Sequence, residues 1–181
     1  LSFVDNEEAV ESAITGKIGI ALSGGGFRAS LYHIGVLARF AELDLLRKVE
    51  TISCVSGGSI IGAYYYLGLK ALLERKRDSE ITHQDYIDLI KEIETEFLNG
   101  VKTNIRTRVL SSICSPFKSG YSRTNVLAQE YEKQLFNNLI ECPKKQPLFM
   151  DELAVVPKGE SSRFVPEFQN WKRYAKVPTL V

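Results

Sequence analysis

The chain has 181 residues, 44 % of them hydrophobic and 25 % charged, with a formal net charge of +1. That is enough apolar material for one core and not clearly for two, and the near-zero balance gives no bulk attraction to nucleic acid. No run approaches the roughly 18 apolar residues of a membrane span; Cys54, Cys114 and Cys142 lack metal-ligand spacing and, with no secretory signal visible, read as free thiols of a reducing, cytoplasmic compartment.

In chain order, Lys17-Ile18-Gly19-Ile20-Ala21-Leu22 reads as a buried strand running into Ser23-Gly24-Gly25-Gly26-Phe27-Arg28-Ala29-Ser30. Glycines have no side chain to pack, so Gly24, Gly25 and Gly26 let main-chain N–H groups approach a ligand; ahead of a helix, that array suits a phosphate or an oxyanion. Leu31, Ile34, Leu37, Ala38, Ala41 and Leu45 then fall at helical spacing and predict a core face. The apolar run Val49 to Val55 predicts a second strand. It meets a helical stretch, Ser59 to Leu73, at Val55-Ser56-Gly57-Gly58. A serine at a strand–helix junction is lifted off the sheet by a tight turn and aimed at a helix N-terminus, which favours developing negative charge. The usual elbow is G-x-S-x-G, and Cys54 stands where its first glycine is expected.

Gly24-x-Gly26-x-x-Ala29 also fits the dinucleotide fingerprint G-x-G-x-x-G/A. That use requires an acidic residue closing the second strand, to hold the ribose; Ser56 occupies that end, and Glu50 precedes the strand. Anion-directed turns at the ends of successive strands suit an oxyanion hole (Gly24, Gly25, Gly26, with Gly57) beside a nucleophile (Ser56) better.

Ser23-Gly24-Gly25-Gly26-Phe27-Arg28-Ala29 followed by Val55-Ser56-Gly57-Gly58-Ser59 resembles the patatin-like phospholipases and the related cytosolic phospholipases, which pair a G-G-G-x-R/K loop with a G-x-S-x-G/S elbow. Weaker echoes are Gly35-Val36-Leu37, Tyr121-Ser122-Arg123-Thr124 and the terminal Lys176-Val177-Pro178-Thr179-Leu180-Val181. The resemblance implies an α/β chain with a three-layer α/β/α fold and a mostly parallel central sheet. It also implies a lipid acyl hydrolase of phospholipase A or lysophospholipase type, with a Ser–Asp dyad, no histidine and no cofactor. Its substrate would be a phospholipid or other lipid ester, met in transient contact with a membrane surface. Arg28, at the family's basic position, is expected to hold the loop's shape or to meet a substrate phosphate through its planar fork.

The family's aspartate lies in a D-G-G or D-G-A motif, and this sequence contains no Asp-Gly dipeptide. Asp85 reads as a helix first-turn charge, Asp88 as a polar-face residue, Asp78 as part of a charged linker and Asp151 as a turn or cap. His33 and His83 read as helix-surface or packing residues. The expectation is therefore that residues 1–181 are the N-terminal part of one domain: a loop-and-elbow core over 15–75, a helical region over 80–145 and the start of a core strand over 176–181. The dyad aspartate would follow residue 181 or come from another chain. The alternatives are a non-catalytic lipid-binding or interaction module that kept the elbow and lost its base, or a dinucleotide-binding domain.

The remaining pattern is scaffold. Ile60, Ile61, Ala63, Tyr64 and Leu67 make the elbow helix apolar nearly all round, ending at Glu74-Arg75-Lys76-Arg77-Asp78. Tyr86, Leu89, Ile90, Ile93 and Phe97 form a stripe opened by Thr82-x-x-Asp85 and stopped near Gly100; Val126, Leu127, Tyr131 and Leu135 form another. Lys102, Arg106, Arg108, Lys118 and Arg123, interleaved with apolar residues, predict either a solvated basic face or a contact with an anionic lipid surface.

Overall fold

The computed structural model describes residues 17–102 and 153–181. Strand β1 (Ile18–Leu22) leads into helix α1 (Gly26–Glu42), and a 3-10 turn (Leu46–Lys48) leads into β2 (Val49–Cys54). Helix α2 (Gly57–Arg75) and a second 3-10 turn (Asp78–Glu80) precede α3 (His83–Lys102). Beyond residue 153 come a short helix α4 (Pro166–Gln169), a turn (Asn170–Lys172) and β3 (Thr179–Leu180). The sheet runs β1-β2-β3 with both pairs parallel, Leu22 facing Cys54 and Ile52 facing Leu180. This is the expected α/β architecture with a parallel sheet. The register makes β1 and β2 end side by side, and the crevice outside the carboxyl ends of such strands is where α/β sheets bind ligands.

Helix α1 contacts α2 and α3, and α2 also contacts β1 and β2. The expected core face of α1 is correct at Ile34, Leu37 and Ala41 and wrong at its start, where Leu31 is 40 % exposed. Ser30 and His33 are buried instead. Burying a hydroxyl and an imidazole costs free energy unless both are hydrogen-bonded, and both are, to main chain that belongs to the site described below. At its other end α1 stops through Asp44, which has φ 55. Asp44 N–H donates to Ala41 O at 3.0 Å and Leu45 N–H to Phe40 O at 2.9 Å. Aspartate tolerates this left-handed position better than most residues, and Arg47 Nε holds its carboxylate at 2.7 Å.

Of the residues expected to bury helix α2, Ile61 and Tyr64 are buried and Ile60, Ala63 and Leu67 half-buried, while Tyr65, Leu69 and Leu73 are buried as well. The α3 stripe of Tyr86, Leu89, Ile90, Ile93 and Phe97 is wholly buried, and the helix runs past Gly100 to Lys102. Gly68 lets the two helices close: a Cβ there would meet Leu89 Cδ1 at 2.7 Å. At the start of α3, Asp85 accepts from Thr82 N–H at 2.8 Å and from the Thr82 hydroxyl at 3.0 Å, and Lys76 Nζ donates to it at 2.7 Å. Burial opposes ionisation of Asp85, but Lys76 and the two Thr82 donors outweigh it and hold the carboxyl below its ordinary range. His83 Nε2 donates to Ala41 O at 2.6 Å, tying α3 to α1.

Asp78 does more than its linker reading suggests. Its carboxylate accepts the N–H groups of Tyr174 at 2.7 Å and Ala175 at 3.0 Å and pairs with Arg173 at 3.1 Å. Arg173, its side chain 3 % exposed, also pairs with Glu160 at 3.1 Å. These bonds dock the segment before β3 onto the α2–α3 corner. Asn170 then aims the chain into the sheet: its Nδ2 donates to Val177 O and its Oδ1 accepts from Val177 N–H, both at 2.8 Å. Replacing Asn170 with Leu leaves a buried donor and acceptor unmet, which costs about 2–3 kcal/mol. Thermal melting should fall by roughly 5–10 °C for a domain of this size; a change under about 2 °C would show that water or a backbone shift satisfies Val177.

Candidate active site

Ser56 follows Val55 in the two-residue link between β2 and α2 and has φ 52 and ψ −120. Among the described residues only Asp44 and Ser56 combine a side chain with positive φ. The turn is tight: Val55 N–H donates to Leu22 O at 3.1 Å, Gly58 N–H to Val55 O at 2.9 Å and Ser59 N–H to Ser56 O at 2.9 Å. Strain of this kind persists where surrounding contacts over-determine it. The side chain is exposed, and its hydroxyl does not cap the helix that it precedes.

The glycine loop lies directly against this turn. A Cβ on Gly24 would sit 3.2 Å from Ser56 Cβ and 3.7 Å from Ser56 Oγ. Gly25 and Gly26 have φ 140 and 64, values that side chains rarely adopt, and they swing the chain from β1 into α1. Gly57 and Gly58 are pressed on the backbone of Gly26 and Leu22 respectively. Cys54, in place of the elbow's first glycine, is accommodated by a glycine elsewhere: its Sγ lies 3.1 Å from where a Cβ on Gly62 would be. Sequence reading missed Gly62, although a glycine inside an apolar helix is a signal of close approach.

Main-chain donors collect at this junction. Among the described residues, the N–H groups of Gly24, Gly25, Gly26 and Gly57 make no hydrogen bond to a backbone carbonyl. Two helices start here, α1 at Gly26 and α2 at Gly57, and neither has an acidic residue in its first turn. Two positive dipole ends with unpaired N–H groups make a site for an anion. Arg28, in the first turn of α1, is exposed and has no ion pair among the described residues. Phe27 packs edge-on against Phe97 at 6.2 Å between ring centroids and fixes the loop's exit.

The other titratable candidates bond groups other than the Ser56 hydroxyl. His33 Nε2 lies 3.0 Å from Ser23 O and 3.3 Å from Ser23 Oγ, and His83 is bonded to Ala41 O. Asp44, Asp78 and Asp85 are held as described, and Asp88 accepts from Gln84 at 2.8 Å. No carboxylate closes β2; Glu50, expected ahead of the strand, is its second residue and pairs with Lys17 at 3.5 Å. A depression of about 530 Å³, lined by Arg77, Asp78, Ile81, Lys158, Glu160, Arg173 and Tyr174 among others, includes none of the site residues. Asp151 and the stretch carrying Arg106, Arg108, Lys118, Arg123 and Val126 to Leu135 lie outside the described residues.

A serine at positive φ on the strand end of a parallel α/β sheet, beside a glycine loop, is an arrangement that acyl transfer can use. The chain matches the family model for patatin-like phospholipases over residues 20–175 and belongs to that family, whose members are lipid acyl hydrolases. No curated protein and no solved structure gives a significant match to it. Among the described residues, no helix is long and apolar enough to cross a membrane.

Proposed function

We propose that the protein is a serine lipid acyl hydrolase of phospholipase A or lysophospholipase type, with Ser56 as nucleophile and the N–H groups of Gly24, Gly25, Gly26 and Gly57 as oxyanion donors. The observation that carries this reading is the exposed Ser56 hydroxyl, held at φ 52 beside a loop whose glycine N–H groups are unpaired. An aspartate from outside the described residues takes the Ser56 proton as Oγ attacks a fatty-acyl ester carbonyl. The tetrahedral oxyanion is held by the glycine N–H groups. Its collapse expels the lipid alcohol, which takes back the proton, and leaves an acyl group on Ser56. Water, deprotonated by the same aspartate, then releases the fatty acid.

Arg28 has a charge to offer a substrate phosphate, since the described residues leave it without a carboxylate partner. Contact with the lipid surface is transient, and the protein works in the cytoplasm or at the membrane's edge. No cofactor enters this chemistry. Treating the protein at its natural length with a fluorophosphonate should modify one serine, and peptide mapping should place the adduct on Ser56. Vesicle binding with no adduct would instead mark a lipid-binding module. Binding of NAD without an adduct would mark a dinucleotide domain.

A further inference from the structure

We propose that Ser30 and His33 are positioning residues, a pair of buried donors one helical turn apart on α1 that lock the glycine loop and the elbow in register for catalysis. The inference rests on the reading of Ser56 as nucleophile and adds to it the parts that set the geometry.

Ser30 is 0 % exposed and His33 is 5 % exposed. At i and i+3 they share one face of α1, and each reaches a different half of the site. Ser30 Oγ donates to Gly57 O at 2.6 Å and lies 3.4 Å from Gly26 O. A hydroxyl has one proton, so the short bond to the elbow is the one made, with the loop's own carbonyl beside it. The first turn of α1 is thereby fastened to the first turn of α2. His33 Nε2 donates to Ser23 O at 3.0 Å. In a trans peptide the C=O and the following N–H point in opposite directions. Turning Ser23 O toward α1 therefore turns the Gly24 N–H away from it, and that N–H has no backbone acceptor among the described residues. His33 thus aims an oxyanion donor, while Ser30 sets how far that donor lies from the nucleophile.

Neither side chain faces the reacting atoms, so neither is a catalytic residue. Their partners are main-chain carbonyls adjoining the proposed donors, and oxyanion contacts strengthen only in the transition state. A misplacement near 1 Å costs about a hundredfold. The loss should fall on kcat and spare KM.

The test uses the protein at its natural length, hydrolysis of a soluble p-nitrophenyl ester and thermal melting of every variant. Ser30→Ala and His33→Leu should each lower kcat about 10- to 100-fold with KM within about twofold, at temperatures where both variants are folded. His33→Gln, which can present an Nε2–H donor at the same height, should recover most of the rate lost in His33→Leu. Equal losses in His33→Leu and His33→Gln, or a wild-type kcat in Ser30→Ala, would overturn the positioning role. Ser56→Ala separates the two levels. If it is inactive while Ser30→Ala is fully active, only the positioning role fails. If it hydrolyses the ester as fast as the wild type, the nucleophile and the role built on it fail together.

Discussion

Ser56→Ala should abolish ester hydrolysis and fluorophosphonate labelling while leaving the chain folded. Loss of a serine nucleophile in other hydrolases removes about six orders of magnitude from kcat, so residual turnover should fall below detection. Stability should barely move, because the exposed hydroxyl caps nothing and alanine keeps the Cβ that φ 52 must accommodate. Ser56→Gly should be equally inactive but more stable. A non-glycine residue at such backbone angles costs about 1–3 kcal/mol, and glycine's extra chain entropy offsets about 0.5–1 kcal/mol of the relief. The glycine variant should therefore melt a few degrees above the alanine variant, at roughly 2–4 °C per kcal/mol. Hydrolysis surviving in Ser56→Ala would sink the nucleophile assignment. A glycine variant no more stable than alanine would show that the elbow stores no strain.

The part of this arrangement that could be read from sequence was the local part. The strand at Ile18 to Leu22 (buried only at Ile20 and Leu22, not throughout as expected), the glycine loop, the stripe on α3 and the Val55-Ser56-Gly57-Gly58 junction each carry their signal within a few residues, through periodicity or through backbone freedom. What was illegible depends on distance along the chain. Ser30 and His33 interrupt an apolar stripe, so periodicity assigned their face to Leu31; the bond that justifies burying Ser30 is to a residue 27 positions later. Asp78 looked like a solvated linker because its acceptor role is toward Tyr174, 96 positions away. Cys54 looked like a defect in the elbow because the compensating change is at Gly62, on the next helix. In each case a polar or small residue out of pattern had a main-chain or close-packed partner that only folding brings near.

Gly57→Ala should cost about a hundred- to thousandfold in kcat, comparable to removing one oxyanion donor. The added Cβ would lie 2.2 Å from Gly26 O and 2.8 Å from both Gly26 C and Gly26 N. These are backbone atoms of the loop itself, so no side chain can swing aside; the loop and the elbow must part. Two controls separate this from helix propensity, which favours alanine over glycine by about 1 kcal/mol at any interior helix position. Gly62→Ala would meet Cys54 Sγ at 3.1 Å, Cys54 Cβ at 3.3 Å and Leu22 Cδ1 at 3.4 Å, contacts far milder than those at Gly57 that small adjustments relieve, so its kcat should stay within a few-fold of the wild type. Gly58→Ala would meet Leu22 O at 2.2 Å and Ser23 O at 2.8 Å, driving α2 off the end of β1. It should lose stability as well as rate, by about 1–3 kcal/mol or more. Steady-state kinetics and melting curves on the three variants would decide the matter. A Gly57→Ala enzyme with normal kcat would mean that contact between the loop and the elbow is not what the reaction requires, and that the oxyanion donors must be sought elsewhere.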